Sequence, residues 1–506
     1  MALVPTRVKR LPMNIDGVNE TDVAVVGGGP GGSTLATLVA MRGHRVVLLE
    51  KEKFPRYQIG ESLLPSTVHG ICRLTGVADE LAKAGFNKKR GGTMRWGARP
   101  EPWTFAFSVS PKMTGETSHA YQVERSKFDQ ILLDHARHTG VDVREQHSVT
   151  DVIEDEGRVC GVSYTDAAGN KGTIRAKYVV DASGSKSRIY QQAGATRQYS
   201  EFFRSLALFG YFEGGKRLAE PNSGNILCCA FESGWFWYIP LTPTLTSVGA
   251  VVRNDLASKI QGDPEKALKA LIAECPMISD YLSSAKRVTE GQYGEIRVRK
   301  DYSYANTKFW RPGMALIGDA ACFVDPIFSS GVHLATYGAL LAARSINSVL
   351  DQAVDEETAF REFEQRYRRE YGVFYEFLVS FYDMHVDENS YFWSAKKVTD
   401  DTSSDLESFV SLVGGVSSGE ETLAQRYKSR SSEFAKAVDE VVENKEQSMV
   451  PLMKSSIVKQ AMREGAKEQA HAMLGQDLEP ESAIFEGGLV ASPDGLSWSL
   501  PRLTVR

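Results

Sequence analysis

The chain has no uninterrupted apolar run near the roughly 18 residues that a membrane-spanning helix needs, which argues against a membrane span. Residues 1–19 mix Arg7, Lys9 and Arg10 with prolines and show no apolar h-region, so they are read as a flexible leader. Basic excess is also missing. A formal charge of -5 offers no surface for neutralising phosphates, and this excludes nucleic acid as the main partner. The six cysteines, at 72, 160, 228, 229, 275 and 322, form no Cys-x-x-Cys pair and have no histidine at zinc spacing. They read as small buried hydrophobes in a reducing cytoplasm, with no metal site. No internal repeat is present.

The 506 residues, 42% apolar and 24% charged, suffice for two or three globular domains. Asp22 to Glu50 reads as a βαβ unit: strand Val23 to Val26, a glycine turn, a helix through Ala40, and strand Arg45 to Glu50. Val152 to Tyr164 and Thr173 to Val180 read as a β-meander feeding a core strand, and Met314 to Ile317 as another short strand. Ser205 to Arg253 and Val288 to Arg299 are rich in β-branched and aromatic residues, predicting an antiparallel sheet inserted at about 196–299. Val332 to Val349 and Phe360 to Phe381 carry helical patterns. From Thr399 the composition turns to Ser, Glu, Lys and Gln, with helical stretches near Leu423 to Glu443 and Ile457 to Leu474. The expected organisation is therefore the leader, one composite module over 20–395, and a helical, partly disordered region over 396–506, with the last thirty or so residues poorly ordered.

Gly27, Gly29 and Gly32 form G-x-G-x-x-G between a strand and a helix. The first glycine permits the tight turn, the second lets backbone approach a pyrophosphate, and the third lets helix and strand pack. The helix N-terminus then receives the anion, and Glu50, ending the next strand, accepts from a ribose hydroxyl. Asp181-Ala182-Ser183-Gly184 and Gly318-Asp319-Ala320 each follow a predicted strand and resemble the later fingerprints of the glutathione-reductase-like FAD-binding fold, which makes Asp181 and Gly184 expected cofactor-binding residues. That resemblance implies an α/β chain with a Rossmann-type FAD-binding domain, an inserted β-sheet substrate region and a helical C-terminal region. It places Asp319 at the ribityl-phosphate end of FAD. Arg125 falls where this superfamily has an arginine reaching the cofactor, and Arg56 to Ser62 matches its Arg-x-x-Ile-Gly-Glu-Ser segment. No second glycine fingerprint stands in a βαβ context, the glycines at 414 and 415 lying in a polar stretch. Reduced FAD, or electrons, should therefore come from a separate NAD(P)H-dependent flavin reductase.

Residues 235–240 read Trp-Phe-Trp-Tyr-Ile-Pro. Joined to an FAD fingerprint, this Trp-x-Trp-x-Ile-Pro string resembles the motif of the flavin-dependent halogenases, whose bulky indoles keep organic substrate away from the flavin. By that resemblance Trp235 and Trp237 wall the cofactor, and reduced FAD, O2 and chloride yield a flavin hydroperoxide and then hypochlorous acid. The same family binds halide at a Ser/Thr-Gly pair opening the helix under the flavin, here Ser330 and Gly331 after Pro326. Its lysine, which holds the oxidant, matches Lys89 in Phe86-Asn87-Lys88-Lys89-Arg90-Gly91-Gly92, with Lys88 in reserve. An amine of ordinary pKa, about 10.4, is neutral in roughly one molecule in a few thousand at pH 7. Chloramine chemistry therefore requires burial or neighbouring cations, and Lys88 and Arg90 are candidates for that field.

Family members that halogenate free tryptophan carry a glutamate where this chain has Phe328, which points to a ring activated by its own substituent. Phe328, the aromatic run Phe374 to Tyr382 and Tyr391-Phe392-Trp393 fit the branch acting on substrates held by a carrier protein. A tyrosyl or β-tyrosyl group on a peptidyl carrier protein is the leading expectation. Two other readings remain: an aromatic hydroxylase or geranylgeranyl-reductase-like flavoprotein, which would turn over without chloride, and a non-catalytic flavin-binding protein that docks a carrier. For residues beyond 400, covering a substrate tunnel, forming a dimer and receiving the carrier all stay open.

Overall fold

The computed structural model describes residues 19–96, 101–107, 118–200, 202–300, 302–382, 483, 485 and 487–501. The βαβ unit comprises strand Asn19–Val26, helix Pro30–Met41 and strand Val46–Glu50. Every residue of the second strand is buried, as expected where helices cover both faces of a parallel sheet. Strand Lys171–Asp181 lies between Asn19–Val26 and Met314–Leu316 and is parallel to both.

The register sets the position of the site. Val26 pairs with Asp181, and Asp181 with Leu316, so three strands end at one level. The glycine turn after Val26, the 182–187 loop and the 318–320 turn therefore emerge side by side at the carboxyl edge of the sheet, where open α/β folds bind their ligands. The predicted meander is present as Ser148–Asp155, Arg158–Thr165 and Lys171–Asp181.

The inserted sheet is larger than its sequence signature and is mixed rather than purely antiparallel. Ser205–Glu213, Leu245–Arg253, Gly234–Pro240 and Ile226–Phe231 pair antiparallel, but Ile226–Phe231 then pairs parallel with Gly91–Arg95, which pairs with Trp103–Ala106. Conversely, Arg197–Tyr199 joins Tyr304–Asn306 in a separate small sheet, so 196–204 does not belong to the insert. Alternation along Gly234–Pro240 sends Trp235, Trp237 and Ile239 into the core shared with the FAD-binding sheet. Phe236 and Tyr238 go into a second core under helix Pro264–Glu274.

Helix Ser330–Leu350, here the central helix, packs on Pro30–Met41 and on the long helix Glu356–Tyr382. The approaches are close: a Cβ at Gly31 would lie 3.1 Å from the Ala335 carbonyl oxygen, and one at Gly338 2.5 Å from Tyr367. The expectation of poor order at the chain's end is corrected for 487–501. There Val490–Ala491 and Trp498–Ser499 form a hairpin docked on the central helix, with Arg344 Nε donating to Gly495 O at 2.9 Å and Trp498 Nε1 to Ser345 Oγ at 2.9 Å. Tyr391 to Trp393, both predicted C-terminal helices and nearly all of the leader lie outside the described residues. Among the described residues no helix is long and apolar enough to cross a membrane.

Candidate active site

The three turns line one elongated cavity of about 500 Å³ between the FAD-binding sheet and the insert. Gly27 has φ +103°, and a Cβ there would lie 2.6 Å from Ala182 O; one at Gly32 would lie 1.9 Å from Gly27 O. These two glycines are steric requirements of the turn. A Cβ at Gly29 would meet nothing closer than Arg56 Nη2 at 3.5 Å, because that backbone faces the cavity. Glu50 also faces it; its Oε2 accepts Gly28 N at 2.7 Å and Oε1 accepts Glu52 N at 2.8 Å. A carboxylate offers about four acceptor positions, so Glu50 fixes the turn and retains capacity for a ribose hydroxyl.

Arg56 and Arg125 line the cavity and share Asp129: Arg56 Nη1 donates to Oδ2 at 2.6 Å, and Arg125 Nε to Oδ1 at 2.8 Å. Arg125 Nη1 also donates to Ile59 O at 2.7 Å, tying the 56–62 segment to helix Arg125–His138. Asp319 lines the cavity with Arg125 and Arg299, while Arg197 acts on it from outside the cavity; burial pushes its pKa up to about 6 against the pull of these three cations. Ser183 and Gly184 line the cavity but Asp181 does not. Asp181 is corrected from cofactor ligand to loop support: Oδ1 accepts Ser183 N at 3.0 Å and Ser183 Oγ at 2.6 Å, and Oδ2 accepts Ser187 Oγ. The wall suits FAD: a first-turn helix end with no side chain over it, cations at one end, and the buried atoms Ser62 Oγ and Glu61 Oε2 without partners.

Trp235 and Trp237 both form part of the cavity wall, their ring centroids 6.2 Å apart. Gly249, opposite Trp237, accommodates the indole, since a Cβ there would lie 2.2 Å from Trp237 Cζ2. Each indole N–H has a partner. Trp237 Nε1 donates to Ser247 Oγ at 3.2 Å; Trp235 Nε1 donates to Tyr382 Oη at 2.8 Å, and Tyr382 donates onward to Asp325 Oδ1 at 3.0 Å. The wall is thereby connected to the last turn of the long helix and to the loop opening the central helix. Burial pushes Asp325 up to about 7 against the bonds from Ile327 N and Tyr382.

Lys89 ends strand Asn87–Lys89, which pairs with Ala120–Gln122. Its side chain is buried, while Lys88 and Arg90 on either side are exposed. Lys89 Nζ donates to Leu63 O at 3.0 Å and Ser329 Oγ at 3.1 Å, and lies 5.6 Å from the Phe107 ring centroid. Desolvation brings its pKa down to about 7. The expected field of Lys88 and Arg90 is not the cause. Lys89 does not line the flavin cavity, and it connects to that cavity through Ser329, which does.

Ser329 is the N-cap of the central helix, in left-handed geometry at φ 62°, ψ 26°. Pro326 and Gly331 also face the cavity. Ser330 is fully buried off the cavity, its hydroxyl directed at Asp325 O at 3.4 Å, which leaves its backbone amide as the group able to meet a halide. Ser329, Asp325, Tyr382 and Glu61 were not selected from the sequence as site residues. Glu61 and Tyr382 sit inside segments already quoted, and the hydrogen bonds that give these residues importance cross from one element to another.

A cavity lined by three FAD-fingerprint turns, a tryptophan wall and a buried lysine one serine away point to a flavin-dependent halogenase. The family model described as tryptophan halogenase matches residues 22–115 and 109–460, and the chain belongs to this family. It is 33% identical over 383 residues to "Tryptophan 2-halogenase" of Chondromyces crocatus, covering 75% of this chain and 71% of the relative. It is 35% identical over 380 residues to "Flavin-dependent halogenase gsfI" of Penicillium aethiopicum, covering 70% and 69%. Among solved structures, the myxobacterial chondrochloren halogenase CndH is 52% identical, with a TM-score of 0.76 over 95% of this chain and 100% of that one. The flavin-dependent brominase Bmp2 is 28% identical, with a TM-score of 0.66 over 85% and 100%. Membership sets aside the hydroxylase, geranylgeranyl-reductase-like and non-catalytic readings. The enzyme acts on aromatic substrates and uses FAD in reduced form, supplied by a separate flavin reductase, with O2 and chloride.

Proposed function

We propose that this halogenase chlorinates a ring activated by its own hydroxyl, in the leading case a tyrosyl or β-tyrosyl group held as a thioester on a peptidyl carrier protein. The observation that carries the ring class is Phe328, in the position where the tryptophan-acting branch has a glutamate. A phenol stabilises its own cationic intermediate and needs no such carboxylate. The related proteins' names speak of tryptophan and chondrochloren and not of a carrier, so tethering rests on Phe328 and the aromatic segments Phe374 to Tyr382 and Tyr391 to Trp393.

Reduced FAD with O2 supplies the two-electron oxidation that converts chloride into an electrophilic chlorine. The chain's own groups bind and separate the reactants. Gly27, Gly29, Gly32, Glu50, Arg56, Ser62, Arg125, Gly184, Asp319 and Pro326 bound the cofactor's space, with Asp181 bracing its loop. The amides of Ser330 and Gly331, at the start of a 21-residue helix, are the halide donors. Trp235 and Trp237 exclude the organic substrate from the flavin, and Lys89 holds the oxidant on the far side of Ser329. At a pKa of about 7 the amine and the ammonium coexist at neutral pH, so both a chloramine and an ammonium hydrogen bond are within its chemistry. Excluding water between the two sides protects the electrophile from loss.

The test offers the enzyme tyrosyl-loaded carrier protein, free tyrosine and a simple phenol, each with reduced FAD, O2 and chloride, and reads product mass. Chlorine on the tethered substrate alone supports the whole reading. Chlorine on free phenol and not on the carrier retains the ring class and removes the carrier. Chlorine on free tryptophan alone overturns both.

A further inference from the structure

Glu61 is a buried carboxyl on the flavin cavity wall that has no task in the reading above. Its backbone is fixed, the carbonyl accepting Val123 N at 2.7 Å. Oε1 accepts the Tyr211 hydroxyl at 2.8 Å, while Oε2 is buried with no hydrogen-bond partner. Tyr211 Oη lies 2.8 Å from Tyr57 Oη. Because Tyr211 spends its proton on Glu61, Tyr57 is the donor in that pair. Tyr57 is only half-buried, beneath the Arg297 guanidinium at 3.8 Å. The three groups form a directed hydrogen-bond series that starts at the half-buried Tyr57, itself on the cavity wall, and ends at Glu61.

The other groups facing this carboxyl are few. The Ser247 hydroxyl, which accepts the Trp237 indole N–H, and Arg125 favour its charged form; Glu124 opposes it. Tyr293 lies 4.3 Å from Tyr211 between ring centroids, tilted by 43°, and donates to Glu124 Oε1 at 3.1 Å. Burial outweighs the favourable contacts and pushes Glu61 up to about 7.

We propose that Glu61 is the proton donor on the cofactor side of the site, releasing the proton of Oε2 into the cavity once per turnover and being recharged at Oε1 through Tyr211 and Tyr57. The proposal rests on the halogenase reading, which fixes the stoichiometry: FADH2 + O2 + Cl⁻ + H⁺ gives FAD + HOCl + H2O. Two electrons pass from the cofactor and two from chloride to oxygen, and one proton more is consumed than the reduced cofactor carries. Transfer of chlorine to the ring, HOCl + ArH giving ArCl + H2O, returns none. That proton must enter a cavity walled by indoles, and Glu61 Oε2 is positioned to supply it. With Oε1 already an acceptor, Oε2 is the oxygen that carries the proton, with the nearby Ser247 hydroxyl and the cavity's occupant as the acceptors open to it. A half-turn of the carboxyl resets the series.

The experiment is infrared pH titration of the FAD-loaded protein, paired with single-turnover chlorination rates across the same pH range, for wild type, Glu61→Gln and Tyr211→Phe. Expected are a protonated-carboxyl band that disappears near neutral pH and is absent from Glu61→Gln, and a wild-type rate that falls as pH rises through about 7. Glu61→Gln should lose that limb and on the order of 100-fold in rate. Tyr211→Phe removes a bond favouring the carboxylate, so band and limb should both move to higher pH; this variant decides the matter if Glu61→Gln does not fold. Bands common to both proteins belong to Asp319 and Asp325; a Glu61→Gln titration that lacks none of the wild-type carboxyl intensity overturns the proposal, as does an unchanged alkaline limb. Absence of any chlorinated product from the wild type would count against the halogenase reading instead, leaving the infrared titration to report on Glu61 alone.

Discussion

Lys89 Nζ lies 3.1 Å from Ser329 Oγ, and among the described residues no carboxylate pairs with it. Ser329 faces the flavin cavity and Lys89 does not. One hydroxyl therefore joins the buried lysine to the flavin cavity.

The lysine's desolvation fixes an acid limb. Its pKa is lowered to about 7, so the neutral amine predominates above that pH and is lost as pH falls through it. If the amine takes up the oxidant, chlorination under saturating substrate rises about tenfold per pH unit below 7 and levels above it. The Glu61 limb runs in the opposite direction, so the wild-type profile is a bell centred near neutrality, and Glu61→Gln leaves only the Lys89 rise.

Ser329→Ala deletes an acceptor that favours the charged amine. The Lys89 pKa then falls further and the acid limb shifts to lower pH. Stability drops by about 1 to 2 kcal/mol for one lost bond to a charged, buried group. Rate-pH profiles and denaturant midpoints measure the two effects separately.

Tyr382→Phe leaves the Trp235 indole N–H without its acceptor and removes a donor to Asp325. About 1 to 3 kcal/mol should be lost, as for other buried groups left unpaired. Because the tie between wall and long helix is broken, flavin oxidation should be retained while a larger share of turnovers yields no chlorinated product. Guanidinium unfolding and the ratio of product to flavin oxidised give the outcome.

Gly32→Ala should abolish flavin retention on purification, since its Cβ would lie 1.9 Å from Gly27 O, whereas Gly29→Ala should fold and bind FAD more weakly. The absorbance of bound flavin distinguishes them. A Gly29 variant that fails to fold would contradict the division of labour assigned to the two glycines.

Legibility from sequence followed the range of the interactions. The βαβ unit was readable because it is a local pattern, and Lys89 was singled out only by the resemblance of Phe86 to Gly92 to a family segment. The origin of the lysine's perturbed pKa was not readable, since strand alternation turns Lys88 away from Lys89 and only the assembled fold buries the latter. Strand Gly91–Arg95 opens with two glycines, which resemble a loop, and its parallel partner starts at Ile226. The hairpin at Val490–Ala491 and Trp498–Ser499 has strands too short to show periodicity, and its dock, Ser345, lies 153 residues before Trp498. Asp181 was misread because the end of a fingerprint strand suggests a ligand, whereas its carboxylate is occupied by Ser183 and Ser187.

The most direct measurement is single-turnover mass spectrometry with reduced FAD, O2, chloride and a phenolic substrate, comparing wild type with Lys89→Ala while flavin oxidation is followed optically. The account predicts a mass gain of one chlorine in the wild type and none in the variant, with flavin oxidised in both. Chlorinated product from Lys89→Ala at the wild-type yield would contradict it.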